Sequence, residues 1–202
     1  MDLSALDMIV SLVFGYLCGT IPWGLILTKS AGLGDIRSIG SGNIGATNVL
    51  RTGRKDLALA TLILDSGKGA IAVIIAYAMG WRPEVAGAAA FLGHCFPVWL
   101  GFKGGKGVAT FLGTLLAMWF PAGIFACLMW LAGAYVSRYS SLSALVAAAA
   151  SPFVLFAMGK PTFSIAAIFM TLLIFIRHKE NIARLLKGVE PKIGAKKKEA
   201  AV

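Results

Sequence analysis

The sequence predicts an all-α integral membrane protein with about seven transmembrane helices, and its composition, hydropathy and run lengths all favour this class. Of its 202 residues, 58% are hydrophobic and 14% are charged, and the mean hydropathy is +0.81. Soluble domains average about 45–50% apolar and about 25% charged residues. A spanning helix takes about 20 residues, so no separate soluble domain fits. We therefore expect one membrane domain over residues 1–202.

Seven apolar runs supply the predicted spans, several of them short. The runs cover residues 6–27, 57–79, 85–100, 108–120, 122–136, 142–158 and 162–176. The N-terminus carries Asp2 and Asp7 and no basic residue, so the first run is expected to be a retained helix and not a cleavable signal. The fourth, of about 13 residues before Pro121, is below the usual spanning length. A five-span protein with a broken hairpin at this place is the alternative.

The basic residues predict the orientation of the helices. With the N-terminus outside, segments 29–56, 101–107, 137–141 and 177–202 face the cytoplasm and hold 16 Lys and Arg residues, against two in the outside loops. The positive-inside rule then places the C-terminus in the cytoplasm. Within the second run, Asp65 and Lys68 are spaced i, i+3 and can meet on one face, either as a structural ion pair or beside a substrate site.

The first polar segment, residues 35–51, has the composition of an anion cradle. It carries the glycines Gly40, Gly42 and Gly45 and the neutral hydrogen-bonding residues Ser41, Asn43, Thr47 and Asn48. Glycines let backbone N–H groups converge on an anion, and Arg51 can clamp a phosphate with two hydrogen bonds. A flexible glycine-rich loop is the simpler alternative.

The second polar segment is a lysine-bearing glycine turn that opens into an apolar run. It contains Lys103, Gly104, Gly105, Lys106 and Gly107. The N-terminus of a helix presents free N–H groups to a phosphate. The spacing is not that of a Walker loop, since no Ser or Thr follows Lys106. A basic loop that contacts anionic lipid is the alternative.

The third polar segment, residues 177–190, follows the last apolar run and predicts a cytoplasmic interfacial helix. Helical periodicity puts Arg177, Asn181 and Arg184 on one face. An adjacent apolar stripe is expected to lie in the bilayer surface; it consists of Ile182, Leu185, Leu186 and Val189. The basic tail over residues 191–202 is predicted to be mobile and attracted to acidic lipids.

Together these segments resemble the three motifs of the bacterial acyl-phosphate:glycerol-3-phosphate acyltransferases. The matching stretches are residues 40–51, 93–110 and 177–190, in the family's order, so the resemblance spans nearly the whole chain. The lysine-rich stretch after Glu190 departs from the pattern. The family's seven-helix topology with an outside N-terminus agrees with the count from the runs.

The resemblance implies the reaction and the site. A fatty acyl group would pass from acyl phosphate to the 1-hydroxyl of sn-glycerol 3-phosphate, giving lysophosphatidic acid, the first step of phospholipid synthesis, at the bacterial inner membrane. Ser41, Thr47, Asn48 and Arg51 would line the acyl phosphate and the reaction centre. Lys103, Gly104, Gly105 and Lys106 would hold the glycerol 3-phosphate, and Arg177 would help to bind substrate. Ser141, His178 and Asn181 would complete the pocket, and Glu190 would order the cationic helix.

The resemblance implies no cofactor, metal, nucleic acid or obligatory protein partner. Acyltransferases of the soluble type carry His-x-x-x-x-Asp, whereas here Trp99 follows His94 and Ala183 follows His178 at that spacing. The proton of the attacking hydroxyl could pass to His178 or to a substrate phosphate, and a covalent acyl-Ser41 step is a third option. A carrier for an organic phosphate is the main alternative function, but the chain shows no internal repeat. A lipid-binding structural protein is the other.

Overall fold

A computed structural model describes residues 3–194, and every regular element within them is helical. The α-helices are α1 (Leu3–Gly19), α2 (Trp23–Ser30), α3 (Ala46–Val49), α4 (Lys55–Ala78), α5 (Pro83–Cys95), α6 (Val108–Met118), α7 (Phe120–Ser137), α8 (Ser140–Ala157), α9 (Pro161–Arg177) and α10 (Lys179–Leu186). Short 3-10 turns lie at Ile36–Ser38, Leu50–Thr52 and Val98–Leu100. The predicted all-α class is confirmed. Residues 195–202, most of the predicted mobile tail, lie outside the described residues.

Each of the seven predicted apolar runs contains a helix, but not every helix is long enough to cross a bilayer. Among the described residues, four stretches are long and apolar enough: Ala5–Ser30, Lys55–Ala78, Phe120–Ser137 and Ser140–Ala157. A fifth is gained if α9 and α10, bent by 61°, count as one span. The 13 residues of α5 and the 11 of α6 are short of the usual length. The count of seven spans and the predicted orientation therefore stay predictions.

The first apolar run is not the single regular helix that was expected. It is interrupted at Thr20, Ile21 and Pro22, between α1 and α2. Pro22 has no N–H to donate to the preceding turn, and its ring clashes with that turn, which favours a break in the helix here. The carbonyl of Ile21, left outside the helical ladder, accepts a hydrogen bond from Lys68 Nζ at 2.9 Å. A break inside an apolar run is thus supported by a buried polar group from α4.

Small residues let α1 and α5 pack at backbone distance. A Cβ atom on Gly15 would lie 2.2 Å from the Ala86 carbonyl oxygen, and one on Gly19 would lie 2.0 Å from that of Ala90. Close helix contact through glycine and alanine is the usual solution where no hydrophobic effect drives helices together. This contact fixes α5, and with it the segment that follows α5, relative to the first polar segment.

The helix α10 differs from its prediction in what its apolar stripe contacts. Ile182 and Leu185 pack against the main hydrophobic core of the protein, which includes Phe111 and Ile174. Leu186 and Val189 alone of the stripe are largely exposed, at 85% and 62%. The stripe was expected to lie in the bilayer surface, but half of it instead seats α10 on the helix bundle. This packing of α10 on the core brings the third polar segment close to the first and second polar segments.

Candidate active site

Asn48 is the internal anchor of the first polar segment. Its side chain is buried, and its Nδ2 donates to the carbonyls of Ile36 at 3.0 Å, Ile39 at 3.0 Å and Asn43 at 2.8 Å. Its Oδ1 accepts from the backbone N–H of Ser41 at 3.1 Å. Backbone groups thus occupy both ends of the amide. Asn48 shapes the loop that carries Ser41.

Gly40 closes this loop against Arg51. Its φ is +59°, and a Cβ atom would lie 2.5 Å from Asn48 Oδ1 and 2.6 Å from Arg51 Cδ. Only glycine fits both the backbone conformation and the space. Gly42 also has a positive φ, of +67°, whereas Gly45, with φ of −85°, begins α3 in a conformation open to other residues.

The glycine turn of the second polar segment lies directly on the end of α5. The backbone N–H of Gly104 donates to the Cys95 carbonyl, and that of Gly105 to the His94 carbonyl, both at 3.1 Å. A Cβ atom on Gly105 would lie 2.1 Å from His94 Nε2, so the turn rests on the imidazole. Gly107, with φ of +80°, precedes the first residue of α6. The predicted junction between a glycine turn and a helix N-terminus is therefore present.

Arg177 holds the same turn from the opposite side. Its Nη2 donates to the Gly104 carbonyl at 2.7 Å and its Nε to the Gly105 carbonyl at 3.1 Å. The guanidinium also lies over the Phe96 ring, with 5.4 Å from Cζ to the ring centroid. The second and third polar segments are joined through these contacts, which keep a fixed positive charge beside the turn.

A chain of hydrogen bonds links Lys106 to Glu190. Lys106 Nζ donates to Asn181 Oδ1, and Asn181 Nδ2 donates to Glu190 Oε1 at 2.6 Å. The same carboxylate accepts from Ser141 Oγ at 2.7 Å and from Arg184 Nε at 2.7 Å. Since an ammonium can only donate and a carboxylate can only accept, the two partners fix which way the Asn181 amide points.

Burial sets the protonation of this network. The pKa of Lys106 falls to about 8 because burial and the nearby Arg184 charge disfavour its ammonium form. Burial alone would raise the pKa of Glu190, but the hydrogen bonds from Asn181, Ser141 and Arg184 outweigh it and hold the pKa below its ordinary value. Glu190 is therefore ionised at neutral pH, while Lys106 is cationic and near its midpoint.

His178 sits at the bend between α9 and α10 and is 3% exposed. Its Nδ1 lies 2.8 Å from the Ile174 carbonyl. Because a carbonyl only accepts, Nδ1 carries the proton and Nε2 is the free nitrogen of the neutral ring. Burial lowers the pKa of His178 to about 4, so the ring is neutral at pH 7 and is a weak base.

The three polar segments meet around one cavity of about 160 Å³. Its lining residues are Ser41, Gly42, Asn43, Gly104, Lys106, Ile176, Arg177, Lys179 and Glu180. The lining residues supply the hydroxyl of Ser41, the amide of Asn43 and three cationic side chains, against one carboxylate, that of Glu180. Such a cavity can hold an anion and neutralise charge that develops on it.

The remaining predicted residues lie around the cavity or outside it. Asn181, Glu190 and the buried Ser141 support Lys106 through the hydrogen-bond chain described above. Thr47, Arg51 and Lys103 are exposed, and Thr47 Oγ1 lies 3.4 Å from Ser140 Oγ.

Three residues that line the cavity, Ile176, Lys179 and Glu180, were not predicted as site residues. They lie next to Arg177 and His178 in sequence, and that proximity was the available signal. In the part of the chain that the structure describes, no three His, Cys, Asp or Glu side chains converge as metal ligands.

Comparison with known proteins identifies a family and a fold. The family model for glycerol-3-phosphate acyltransferase matches residues 9–188. The chain is 61% identical over 189 residues to a glycerol-3-phosphate acyltransferase of Maricaulis maris, covering 93% of this chain and 88% of the relative. It is 59% identical over 196 residues to one of Paramagnetospirillum magneticum, covering 96% and 97% of the two chains.

Solved structures agree with these relatives. The glycerol 3-phosphate form of PlsY, an integral membrane glycerol 3-phosphate acyltransferase, superposes with a TM-score of 0.88 at 40% identity, covering 93% of this chain and 96% of that one. The lysophosphatidic acid form of PlsY gives a TM-score of 0.86, also at 40% identity, with coverage of 93% and 95%.

Proposed function

Because this chain belongs to the glycerol-3-phosphate acyltransferase family, an integral membrane family that acylates glycerol 3-phosphate, we propose that its acyl donor is a fatty acyl phosphate. The products would be lysophosphatidic acid, acylated at the 1-hydroxyl, and inorganic phosphate. One observation carries the proposal more than any other. The three glycine-rich or cationic segments, far apart in sequence, line a single cavity.

The donor follows from what the site offers and what the motifs resemble. An acyl phosphate is a mixed anhydride with a good leaving group, so the protein has to position two anions and stabilise an oxyanion. Cationic and N–H donors suffice for that task, and these are the groups around the cavity. The three segments resemble those of the acyl-phosphate-dependent branch, and neither histidine has an aspartate at the spacing typical of soluble acyltransferases.

We assign the phosphate of glycerol 3-phosphate to the glycine turn. Gly104 lines the cavity with no side chain in the way, Gly105 lies buried behind it, and Lys106 and Arg177 supply positive charge there. Lys103 is exposed at the start of the turn, where it can attract the incoming anion. Phosphate bound here would stabilise the ammonium form of Lys106 and so raise the pKa of Lys106.

We assign the acyl phosphate to the first polar segment. Ser41, Gly42 and Asn43 line the cavity opposite the glycine turn. Arg51 packs against Gly40 at the rim of this loop, where its guanidinium can bind the leaving phosphate. Asn48 would act by holding the loop, since its amide is occupied by backbone groups.

In the proposed reaction the 1-hydroxyl oxygen forms a bond to the acyl carbon while the bond from that carbon to the phosphate oxygen breaks. The hydroxyl proton passes to a phosphate oxygen, and phosphate leaves. His178 is less suited to receive this proton, because its pKa of about 4 makes it a weak base. We propose that His178 and Asn181 hold the site in shape while the substrate phosphate takes the proton.

The cavity is proposed to face the cytoplasm at the inner membrane, because the segments that line it belong to the stretches 29–56, 101–107 and 177–202, which hold 15 of the 19 Lys and Arg residues. Lys103 is exposed beside the cavity. A Lys103→Cys variant should react with a membrane-impermeant thiol reagent from the cytoplasmic side only. Reaction from the outside alone would reverse the proposed orientation.

The decisive experiment uses purified full-length protein in detergent with acyl phosphate and glycerol 3-phosphate. We expect phosphate release that depends on glycerol 3-phosphate and matches the lysophosphatidic acid formed, with no product when acyl-CoA replaces acyl phosphate. Product from acyl-CoA alone would overturn the donor assignment. A single-turnover experiment with labelled acyl phosphate and no acceptor tests direct transfer, which a trapped acyl-protein would contradict.

A further inference from the structure

A buried cluster of ionisable residues lies within the helix bundle, outside the candidate site. Asp65, Lys68 and His94 are 1%, 4% and 3% exposed. Asp65 Oδ1 lies 2.9 Å from Lys68 Nζ and 3.6 Å from His94 Nδ1. Within the described residues His94 Nδ1 has no hydrogen-bond partner, so the Asp65 carboxylate is the polar group that faces it. Ionisable groups at such positions are costly to bury and usually have a function.

The cluster reaches two parts of the fold that matter to the site. On one side, Lys68 Nζ donates to the Ile21 carbonyl in the break between α1 and α2. On the other side, His94 Nε2 packs against Gly105 so closely that a Cβ atom on Gly105 would lie 2.1 Å from it. The His94 carbonyl also accepts the Gly105 N–H at 3.1 Å. The His94 imidazole and carbonyl therefore both contact the glycine turn and support it from the side of α5.

The turn is clamped between two side chains. His94 supports it from below, and Arg177 binds the Gly104 and Gly105 carbonyls from the opposite side at 2.7 and 3.1 Å. Lys106 follows immediately and reaches Asn181. A shift or rotation of the imidazole would therefore displace the backbone of the turn and the Lys106 ammonium together.

We propose that Asp65 is a positioning residue for the bound anion. Its carboxylate orients His94 and neutralises Lys68. The His94 ring then fixes the position of the glycine turn relative to α5. Asp65 acts through His94 and does not touch substrate. The inference rests on the proposed function only in assigning the phosphate of glycerol 3-phosphate to this turn.

The main test removes the ion pair without leaving a buried charge. The double variant Asp65→Asn/Lys68→Met contains neither charge, so it avoids the loss of stability that a single unpaired charge would cause. We expect the KM and Kd for glycerol 3-phosphate to rise by about tenfold or more, since small displacements of binding groups have large effects. The KM for the acyl donor should stay near that of the wild type, and the thermal midpoint should fall only by the loss of the hydrogen bond from Lys68 to the Ile21 carbonyl.

A matched control is Thr61→Val. Thr61 is buried on the same helix four residues before Asp65, and its hydroxyl donates to the Leu57 carbonyl of its own helix at 2.7 Å. This change removes a buried polar group of α4 without touching the cluster, so both KM values should be unchanged. A stable double variant with wild-type affinity for glycerol 3-phosphate would overturn the proposal, as would an equal loss of affinity in the control.

A second pair of variants tests the contact itself, should the first double variant not fold. Gly105→Ala places a methyl group against the His94 ring and should weaken glycerol 3-phosphate binding. Adding His94→Ala makes room for that methyl, so His94→Ala/Gly105→Ala should bind more tightly than Gly105→Ala. Failure of this recovery would show that the imidazole does not set the turn.

Binding is measured by the shift of the thermal midpoint with added glycerol 3-phosphate, which needs no acyl donor. A wild-type protein that binds glycerol 3-phosphate but does not use acyl phosphate would refute the proposed function alone. Variants of Asp65 that bind glycerol 3-phosphate as tightly as the wild type would refute the positioning role alone.

Discussion

Glu190 gives the sharpest test of how the site is held together. Its side chain is 7% exposed, and its carboxylate accepts hydrogen bonds from Ser141, Asn181 and Arg184 at 2.6 to 2.7 Å. The variant Glu190→Gln keeps the shape and one acceptor oxygen. It removes the charge and turns an NH2 group toward Arg184 Nε, so that two donors face each other.

The expected loss can be worked out from these contacts. A hydrogen bond to a charged group contributes about 1.5–3 kcal/mol, and the variant loses one such bond and weakens two. Arg184 is 33% exposed, so water takes up part of its charge, and we expect a loss of about 2–3 kcal/mol. For a chain of this size, that lowers the thermal midpoint by about 5–10 °C.

Activity should fall as well as stability, because Asn181 loses the partner that orients it toward Lys106. When activity is assayed at a temperature below the thermal midpoint of the variant, we expect kcat/KM for glycerol 3-phosphate to fall at least about tenfold, because a small misplacement of a binding group has a large effect on rate. Adding Arg184→Gln should recover part of the midpoint, since it removes the charge left without a partner. This recovery distinguishes loss of the ion pair from general damage.

The control is Asp56→Asn, which removes the carboxylate of an exposed ion pair with Arg54. These side chains are 62% and 47% exposed, and exposed pairs contribute little, so the midpoint and kcat/KM should not change. If Glu190→Gln behaved like Asp56→Asn in both measurements, the hydrogen-bond chain would not organise the site.

Three further predictions concern charge. The KM for glycerol 3-phosphate should rise as the pH passes about 8, where free Lys106 loses its proton, and Lys106→Arg should move that limb to higher pH in the same titration. Arg51→Ala should abolish measurable turnover in the phosphate-release assay, whereas Arg37→Ala, which breaks an exposed pair with Asp35, should keep it. Acidification should destabilise the protein between about pH 6.5 and 4, because unfolded His178 binds a proton there and folded His178, with its pKa of about 4, does not. A His178→Asn variant should have a flatter midpoint-against-pH curve over that range, and an unchanged slope would contradict the assigned pKa.

The helices that lie in the seven apolar runs could be predicted from hydropathy, because each run has at least 13 residues, whereas α3, of four residues in a polar segment, could not. The break at Ile21 could not, since its partner Lys68 lies on another helix, and a single proline does not always interrupt a span. The Asp65–Lys68 ion pair was predicted as one of two options and is confirmed at 2.9 Å. That His94 joins it depends on the packing of α5 against α4, which no local pattern encodes.

Some features of the candidate site could likewise be predicted from the sequence, and others could not. That the three segments carry hydrogen-bonding and cationic groups was visible in their composition, and the structure places residues of all three around one cavity. The role of Asn48 as a loop anchor was not visible, because an asparagine in a glycine-rich loop reads equally well as a ligand. Lys179 and Glu180 were missed because a charge at the membrane boundary is ordinarily only solvated.

The crowding around the glycine turn limits how this protein can evolve. Gly104 and Gly105 are pressed against His94, and Gly107 against the Phe91 ring at 2.1 Å from a would-be methyl. A side chain at any of these three positions would collide with the helix bundle, so we expect few substitutions to be tolerated in the glycine turn. Variation is expected instead among the exposed apolar side chains of the helices, which can be exchanged without such a steric penalty.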